Sequence, residues 1–146
     1  MRTVTVILKQ ASLSLVENWL NGFAAHQGDR WFYPSSSSSG VVLFINIDQD
    51  LRGDWNPETP DAYDQLTSIL GEEPTLAVYA DVSGRFPGDA EARLFVTSIL
   101  HQFQGVAVDD YADHWWTVDE VEHNTIVDGL HFFDYLEAFR RDHPGK

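Results

Sequence analysis

The run from Val41 to Ile47 limits the possible folds of this chain more than any other feature. It is almost wholly apolar and rich in β-branched residues, and it is too short for a typical helix, so we predict a central strand. The β-branched runs Val4 to Leu8 and about Thr75 to Val82 predict two further strands. Two shorter strands are predicted at Trp31 to Tyr33 and at Val106 to Val108.

An amphipathic helix is predicted after the first strand. Ser14 and Glu17 have the spacing of a capping box, in which each side chain bonds the backbone of the other residue at a helix start. We expect this helix to end near Gly28. Its apolar stripe, with members three and four residues apart, consists of Val16, Trp19, Leu20 and Phe23.

The remaining helices are predicted from the residues at their ends. Thr59, Pro60 and Asp61 provide an N-cap, a first-turn proline and a first-turn acid for a helix that runs to Gly71. Asp89 opens the longest helix, which Gly105 ends. Two more helices are a short one that begins with a capping box of Thr117 and Glu120, and a C-terminal one from Phe132 to Arg140.

These elements predict an α+β fold, with an antiparallel or mixed β-sheet packed against about four helices. The alternation of helix and strand leaves an α/β fold open as well. The 146 residues, of which 43% are hydrophobic, fit one domain spanning residues 1–146. The serine run from Ser35 to Ser39 supplies no core side chains and is expected to form a loop.

The formal net charge of -14 limits the choice of partner. A surface of this sign repels phosphate backbones and anionic lipids, so we expect no direct nucleic-acid binding and no membrane binding. Basic proteins are favoured as partners. The chain has no cysteine and no N-terminal apolar stretch typical of a signal peptide, which leads us to expect a cytoplasmic location.

The acidic residues are concentrated in the C-terminal third. No lysine or arginine occurs between Arg93 and Arg140, and the acids there lie beside tryptophans and a tyrosine. Acids that steer a basic partner and aromatic side chains that anchor it are typical of recognition surfaces, although a solvated face beside core aromatics would look similar. The predicted partner-binding residues are Asp109, Asp110, Asp113, Trp115, Trp116, Asp119, Glu120 and Glu122.

The two adjacent tryptophans cannot both point the same way on a strand, because neighbouring side chains alternate between its faces. We therefore expect at least one of Trp115 and Trp116 to be buried. A second acidic cluster surrounds Trp55. It could join the C-terminal acids in one surface, but local hydrogen bonds within a turn explain it slightly better; its members are Asp48, Asp50, Asp54 and Glu58.

Two other kinds of function remain open. Asp109, Asp110, Asp113 and His114 offer oxygen and nitrogen ligands, so the chain could be a small metal-binding or hydrolytic enzyme, although their spacing matches no common metal motif. The acidity also suits a regulatory module that mimics nucleic acid. Because no nucleotide-binding or nucleophile motif is present, we expect neither catalysis nor a cofactor.

Several short segments carry a resemblance to a known group of proteins. These are Asp81-Val82-Ser83-Gly84-Arg85, Gly105-Val106-Ala107, Asp109-Asp110-Tyr111, and His114-Trp115-Trp116-Thr117 followed by Glu120-Val121. Together they resemble the immunity proteins of bacterial polymorphic toxin systems, and those of contact-dependent growth inhibition most of all. The resemblance covers the C-terminal half of the chain.

The resemblance implies a cytoplasmic protein that neutralises a cognate toxin domain, often a nuclease, by stoichiometric binding. Such a protein is an inhibitor, so the resemblance implies no catalytic residue. The charge agrees independently, because a nuclease must attract phosphates and therefore carries a basic face. The Trp115-Trp116-Thr117 region is equally compatible with a structural role in the fold, in which case the contacting residues lie elsewhere.

Overall fold

The computed structural model describes the backbone of residues 2–34, 40–49, 60–112 and 114–142, and the side chains of these residues except 60–63, 135 and 142. Within these ranges the chain forms six strands and five helices. The strands are β1 (Arg2–Lys9), β2 (Ala25–Gln27), β3 (Arg30–Pro34), β4 (Val41–Asp48), β5 (Leu76–Val82) and β6 (Gln104–Val108). The helices are α1 (Leu13–Phe23), α2 (Pro60–Leu70), α3 (Asp89–Gln102), α4 (Val118–Glu122) and α5 (Tyr135–Asp142).

All six strands join one antiparallel sheet in the order β2-β3-β4-β5-β1-β6. The predicted α+β class is therefore confirmed, and the sheet is antiparallel rather than mixed. Strand β1 lies between β5 and β6, although both follow it far along the chain. The two edges are β2 and β6, so the N-terminal hairpin and the C-terminal third lie at opposite ends of the sheet.

The main core lies on one face of the sheet. Side chains at alternate strand positions, among them Val6 of β1 and Val78 of β5, are fully buried there. Helices α1 and α3 cover this face, and Leu20 and Phe95 pack into the same cluster. Helix α2 covers part of the opposite face, where Leu66, Leu70, Ile7, Ala77 and Val106 form a second cluster.

Helix α1 differs from its prediction at both ends. Ser12, not Ser14, is the N-cap, and its hydroxyl accepts a hydrogen bond from the Leu15 amide at 3.3 Å. The helix ends at Phe23 because the next residues pair with β3 as strand β2, which was not predicted. Every residue of β2 is exposed, so the strand lacks the apolar alternation that would have indicated it.

The other predictions hold with smaller shifts. The strand at Val41 to Ile47 lies inside the sheet between β3 and β5, and Asp89 opens the longest of the described helices. The C-terminal helix begins at Tyr135 rather than Phe132, because Phe132 and Phe133 turn inward and are 1% exposed. Two predicted features lie outside the described residues: the serine loop and the N-cap at Thr59. None of the described helices is long and apolar enough to cross a membrane.

Arg2 fixes the turn between β5 and α3. Its guanidinium donates hydrogen bonds to the carbonyl oxygens of Ser83, Phe86 and Pro87 at 2.9, 2.5 and 2.7 Å. It also lies 5.7 Å from the ring centroid of Phe133. One arginine on the first strand therefore connects the Asp81 to Arg85 segment with the C-terminal part of the core.

Candidate partner-binding surface

The chain leaves β6 through a tightly bonded turn, which we call the Asp109 corner and define as Asp109, Tyr111, Trp116, Phe132 and Phe133. Asp109 is only 6% exposed. One of its carboxylate oxygens accepts hydrogen bonds from the amides of Tyr111 and Ala112 at 3.2 and 3.0 Å. The other accepts one from the Phe133 amide at 2.6 Å. This carboxylate thus ties the end of β6 to the chain before α5.

Aromatic rings fill the rest of the Asp109 corner. Tyr111 contacts Phe133 edge to face at 5.4 Å, and Trp116 contacts Phe132 in the same way at 5.9 Å. Burial raises the pKa of the Tyr111 hydroxyl above 10.0, and the nearby Asp109 and Asp110 carboxylates add to this against the opposing effect of Arg2. The phenol therefore stays neutral at physiological pH and serves the packing.

The two tryptophans point to opposite faces of the sheet, as predicted. Trp116 pairs with Ala107 by two backbone hydrogen bonds at 2.7 and 2.8 Å, and its side chain is fully buried in the main core. Trp115 is partly exposed and packs against the smaller cluster under α2. Asp109 and Trp116 are among the predicted partner-binding residues, but in this structure the fold encloses both side chains.

Helix α4 begins with the predicted capping box. The Thr117 hydroxyl accepts from the Glu120 amide at 3.2 Å, and the Glu120 carboxylate accepts from the Thr117 amide at 2.9 Å. His114 lies 3.0 Å from the same carboxylate. Burial acts to raise the pKa of Glu120, but the bonds from Thr117 and the proximity of His114 outweigh it, so the pKa lies below the ordinary 4.5. Glu120 is therefore ionised at neutral pH.

Three of the predicted partner-binding acids lie on helix α4, and we call Asp119, Glu120 and Glu122 the α4 acidic face. Asp119 and Glu122 are exposed, whereas Glu120 is partly buried. The Glu122 carboxylate pairs with the ring of His101, at the last turn of α3. The face therefore carries at least two carboxylates that solvent, and a partner, can reach.

Helix α4 is held firmly enough to present these acids in a fixed position. Val121 is fully buried, and Arg93 of α3 donates to the Val121 carbonyl at 3.0 Å and to the Asn124 side chain at 2.7 Å. A fixed charged surface loses less conformational entropy on binding than a mobile one.

The structure divides the predicted residues into separate groups. Asp110 is exposed and lies beside the start of β1, where its carboxylate accepts a hydrogen bond from the Thr3 amide at 2.8 Å. Trp115 and α4 lie on opposite faces of the sheet, because Val121 of α4 belongs to the main core and Trp115 packs against the smaller cluster. Asp113 is outside the described residues. The acids of α4 are thus the only predicted residues that share one described element.

Two other sequence hypotheses can be placed on the structure. In the second acidic cluster, Asp48 ends β4 and accepts a hydrogen bond from the Tyr79 hydroxyl at 3.4 Å; its other members lie outside the described residues. In the suggested metal cluster, both oxygens of Asp109 are occupied by backbone amides, and His114 contacts Glu120. Among the residues with described side chains, no three ligand-type residues are placed to hold a metal ion.

The chain was compared with protein-family models, with curated proteins and with solved structures, and none of the three comparisons gave a match.

Proposed function

We propose that this protein is an immunity protein that neutralises a cognate toxin by stoichiometric binding, and that the α4 acidic face contacts a basic surface of the toxin domain. The observation that carries the proposal is the placement of Asp119 and Glu122, which are exposed on a helix anchored to the core. They lie in a segment without lysine or arginine, so no fixed positive charge of that segment offsets them.

The physical basis is electrostatic steering followed by close contact. A nuclease domain carries a basic face for its substrate, and acids on a rigid helix attract that face over a Debye length of about 8 Å at physiological ionic strength. The Asp109 corner supports the position of α4 indirectly. Its buried residues fix the chain before the helix, at Trp116, and after it, at Phe132 and Phe133. In this proposal the paired tryptophans stabilise the fold and do not contact the toxin.

Coexpression tests the proposal. The toxic C-terminal domain of a secreted protein encoded immediately upstream would be expressed in bacteria with and without this chain. We expect growth arrest by the toxic domain alone and normal growth when both are present, with a one-to-one complex on gel filtration. Growth arrest in the presence of this chain, or the lack of any such upstream domain, would contradict the proposal.

A further inference from the structure

A cleft lies at the end of the sheet away from α4, between helix α1 and the turn that joins β2 to β3. Its volume is about 330 Å³, close to the lower limit of ordinary ligand sites. Leu13 and Glu17 of α1 line one side, and Asp29 and Trp31 of the hairpin line the other. Strands β4, β5 and β1 separate this hairpin from β6 and the Asp109 corner.

The apolar part of the cleft is held in place by contacts within the protein. Trp31 is 2% exposed, and its indole nitrogen donates to the side-chain oxygen of Asn21 at 2.9 Å. The ring of His26 stacks on Trp31 at 4.4 Å between centroids and is inclined by 8°. Leu13 and Ile47 complete the apolar lining. Because these walls are already formed, a ligand would not have to order them.

Two carboxylates give the cleft its charge. Glu17 and Asp29 both line it, and neither has a hydrogen-bond or ion-pair partner through its side chain among the described residues. Among the described residues that line the cleft there is no lysine or arginine. Carboxylates beside low-dielectric walls strengthen the local negative potential, so the cleft attracts a cation.

We propose that this cleft binds the side chain of an arginine presented by the basic partner. The three methylene groups of arginine would pack against Leu13 and Ile47, which are partly exposed, as long basic side chains do on apolar surfaces. Its planar guanidinium offers five donors, enough to bond both Glu17 and Asp29. The inference rests on the proposed function in one respect, namely that the toxin supplies the arginine. The cleft would then be a second contact with the toxin, far from α4.

A titration without any toxin tests the cleft directly. N-acetyl-arginine amide would be added to the full chain while the Trp31 indole N–H and the Gly28 amide are followed by NMR. We expect saturable shifts of these signals. Binding should be about tenfold weaker for the Glu17→Gln/Asp29→Asn variant, because a charge-assisted hydrogen bond contributes at least that factor. The matched variant Asp64→Asn/Glu73→Gln removes two exposed acids elsewhere and should behave like the parent protein.

Uncharged and differently charged probes keep the test independent of any variant. N-acetyl-citrulline amide has nearly the same shape without the charge, and should cause no saturable shift. Equal shifts with citrulline, equal affinity for N-acetyl-lysine amide, or no response to arginine would each overturn the inference.

The toxin complex separates this inference from the proposed function. If arginine amide binds the cleft but no toxin is neutralised, only the proposed function and the source of the arginine fail. We expect the Glu17→Gln/Asp29→Asn variant to bind the toxin about tenfold more weakly than the parent protein. An unchanged affinity of the toxin for this variant would overturn the inference that the toxin presents an arginine to the cleft, while leaving the proposed function intact.

Discussion

The Asp109 corner and the α4 acidic face come from the same short acidic stretch of sequence but use their carboxylates in opposite ways. Asp109 is buried and bonds three backbone amides, whereas Asp119 is exposed and its carboxylate has no partner among the described residues. The hydrogen bonds of Asp109 stabilise the fold but keep its carboxylate away from any partner. The Asp119 carboxylate remains accessible to a partner. Acidity in a sequence therefore indicates a binding surface only after the bonded acids have been separated from the free ones.

Replacing the largest side chain of the Asp109 corner should have the greatest effect on stability. Trp116→Ala removes a fully buried ring next to Phe132 and should lower the free energy of unfolding by about 4 kcal/mol. Trp115→Ala should cost clearly less, because Trp115 is partly exposed. Urea unfolding followed by circular dichroism measures both. Equal losses would mean that the two tryptophans are buried to the same extent.

Asp109→Ala should lower the free energy of unfolding by about 3 kcal/mol, because three backbone amides lose a charged acceptor inside the protein. Asp119→Ala is the matched control in the α4 acidic face and should change it by less than about 0.5 kcal/mol. The same urea experiment compares them. If both variants lost the same small amount of unfolding free energy, Asp109 would not stabilise the fold more than Asp119 does.

Thr117→Ala tests the start of α4 and should lower the free energy of unfolding by about 1 kcal/mol, since it removes the N-cap hydroxyl that bonds the Glu120 amide. Thr117→Ser keeps the hydroxyl and should restore most of the loss. Thermal unfolding gives the ranking of the three proteins. If the serine variant is as unstable as the alanine variant, the hydroxyl does not cap the helix.

Glu120→Gln should show a small effect that depends on pH. Because the folded-state pKa of Glu120 lies below 4.5, the carboxylate contributes stability above that pH and loses its contribution as the pH falls through the folded value. We expect roughly 0.5 kcal/mol between parent and variant at neutral pH, given the partial exposure of this group. The difference should shrink below pH 4.5. Urea unfolding across this range would contradict the assignment if the difference grew on acidification.

Local patterns in the sequence predicted some of these features correctly. The capping box of Thr117 and Glu120 spans only four consecutive positions, and its spacing predicted it correctly, whereas the same spacing at Ser14 and Glu17 does not mark a helix start. The central strand at Val41 to Ile47 followed from its composition in the same way. Opposite orientations of Trp115 and Trp116 followed from the geometry of an extended chain.

Features that depend on distant parts of the chain could not be predicted. The buried Asp109 carboxylate accepts a hydrogen bond from the Phe133 amide, which lies 24 positions later in the chain. No local pattern around Asp109 indicates that contact. The cleft was missed because Glu17 and Asp29 belong to a helix and a hairpin turn, and β2 carried no apolar pattern. The one local signal was the Gly28-Asp29 pair, typical of a tight turn, which would have placed Asp29 at a hairpin tip.

The rate of association with the toxin domain tests the central claim most directly, namely that the exposed acids of α4 attract a basic partner. Stopped-flow mixing at low and at physiological salt would compare Asp119→Asn/Glu122→Gln with Asp64→Asn/Glu73→Gln, which removes the same charge elsewhere. We predict that the α4 variant associates about three- to tenfold more slowly at low salt, with a weaker salt dependence, while the control stays close to the parent. Equal rates for the two variants would contradict the account.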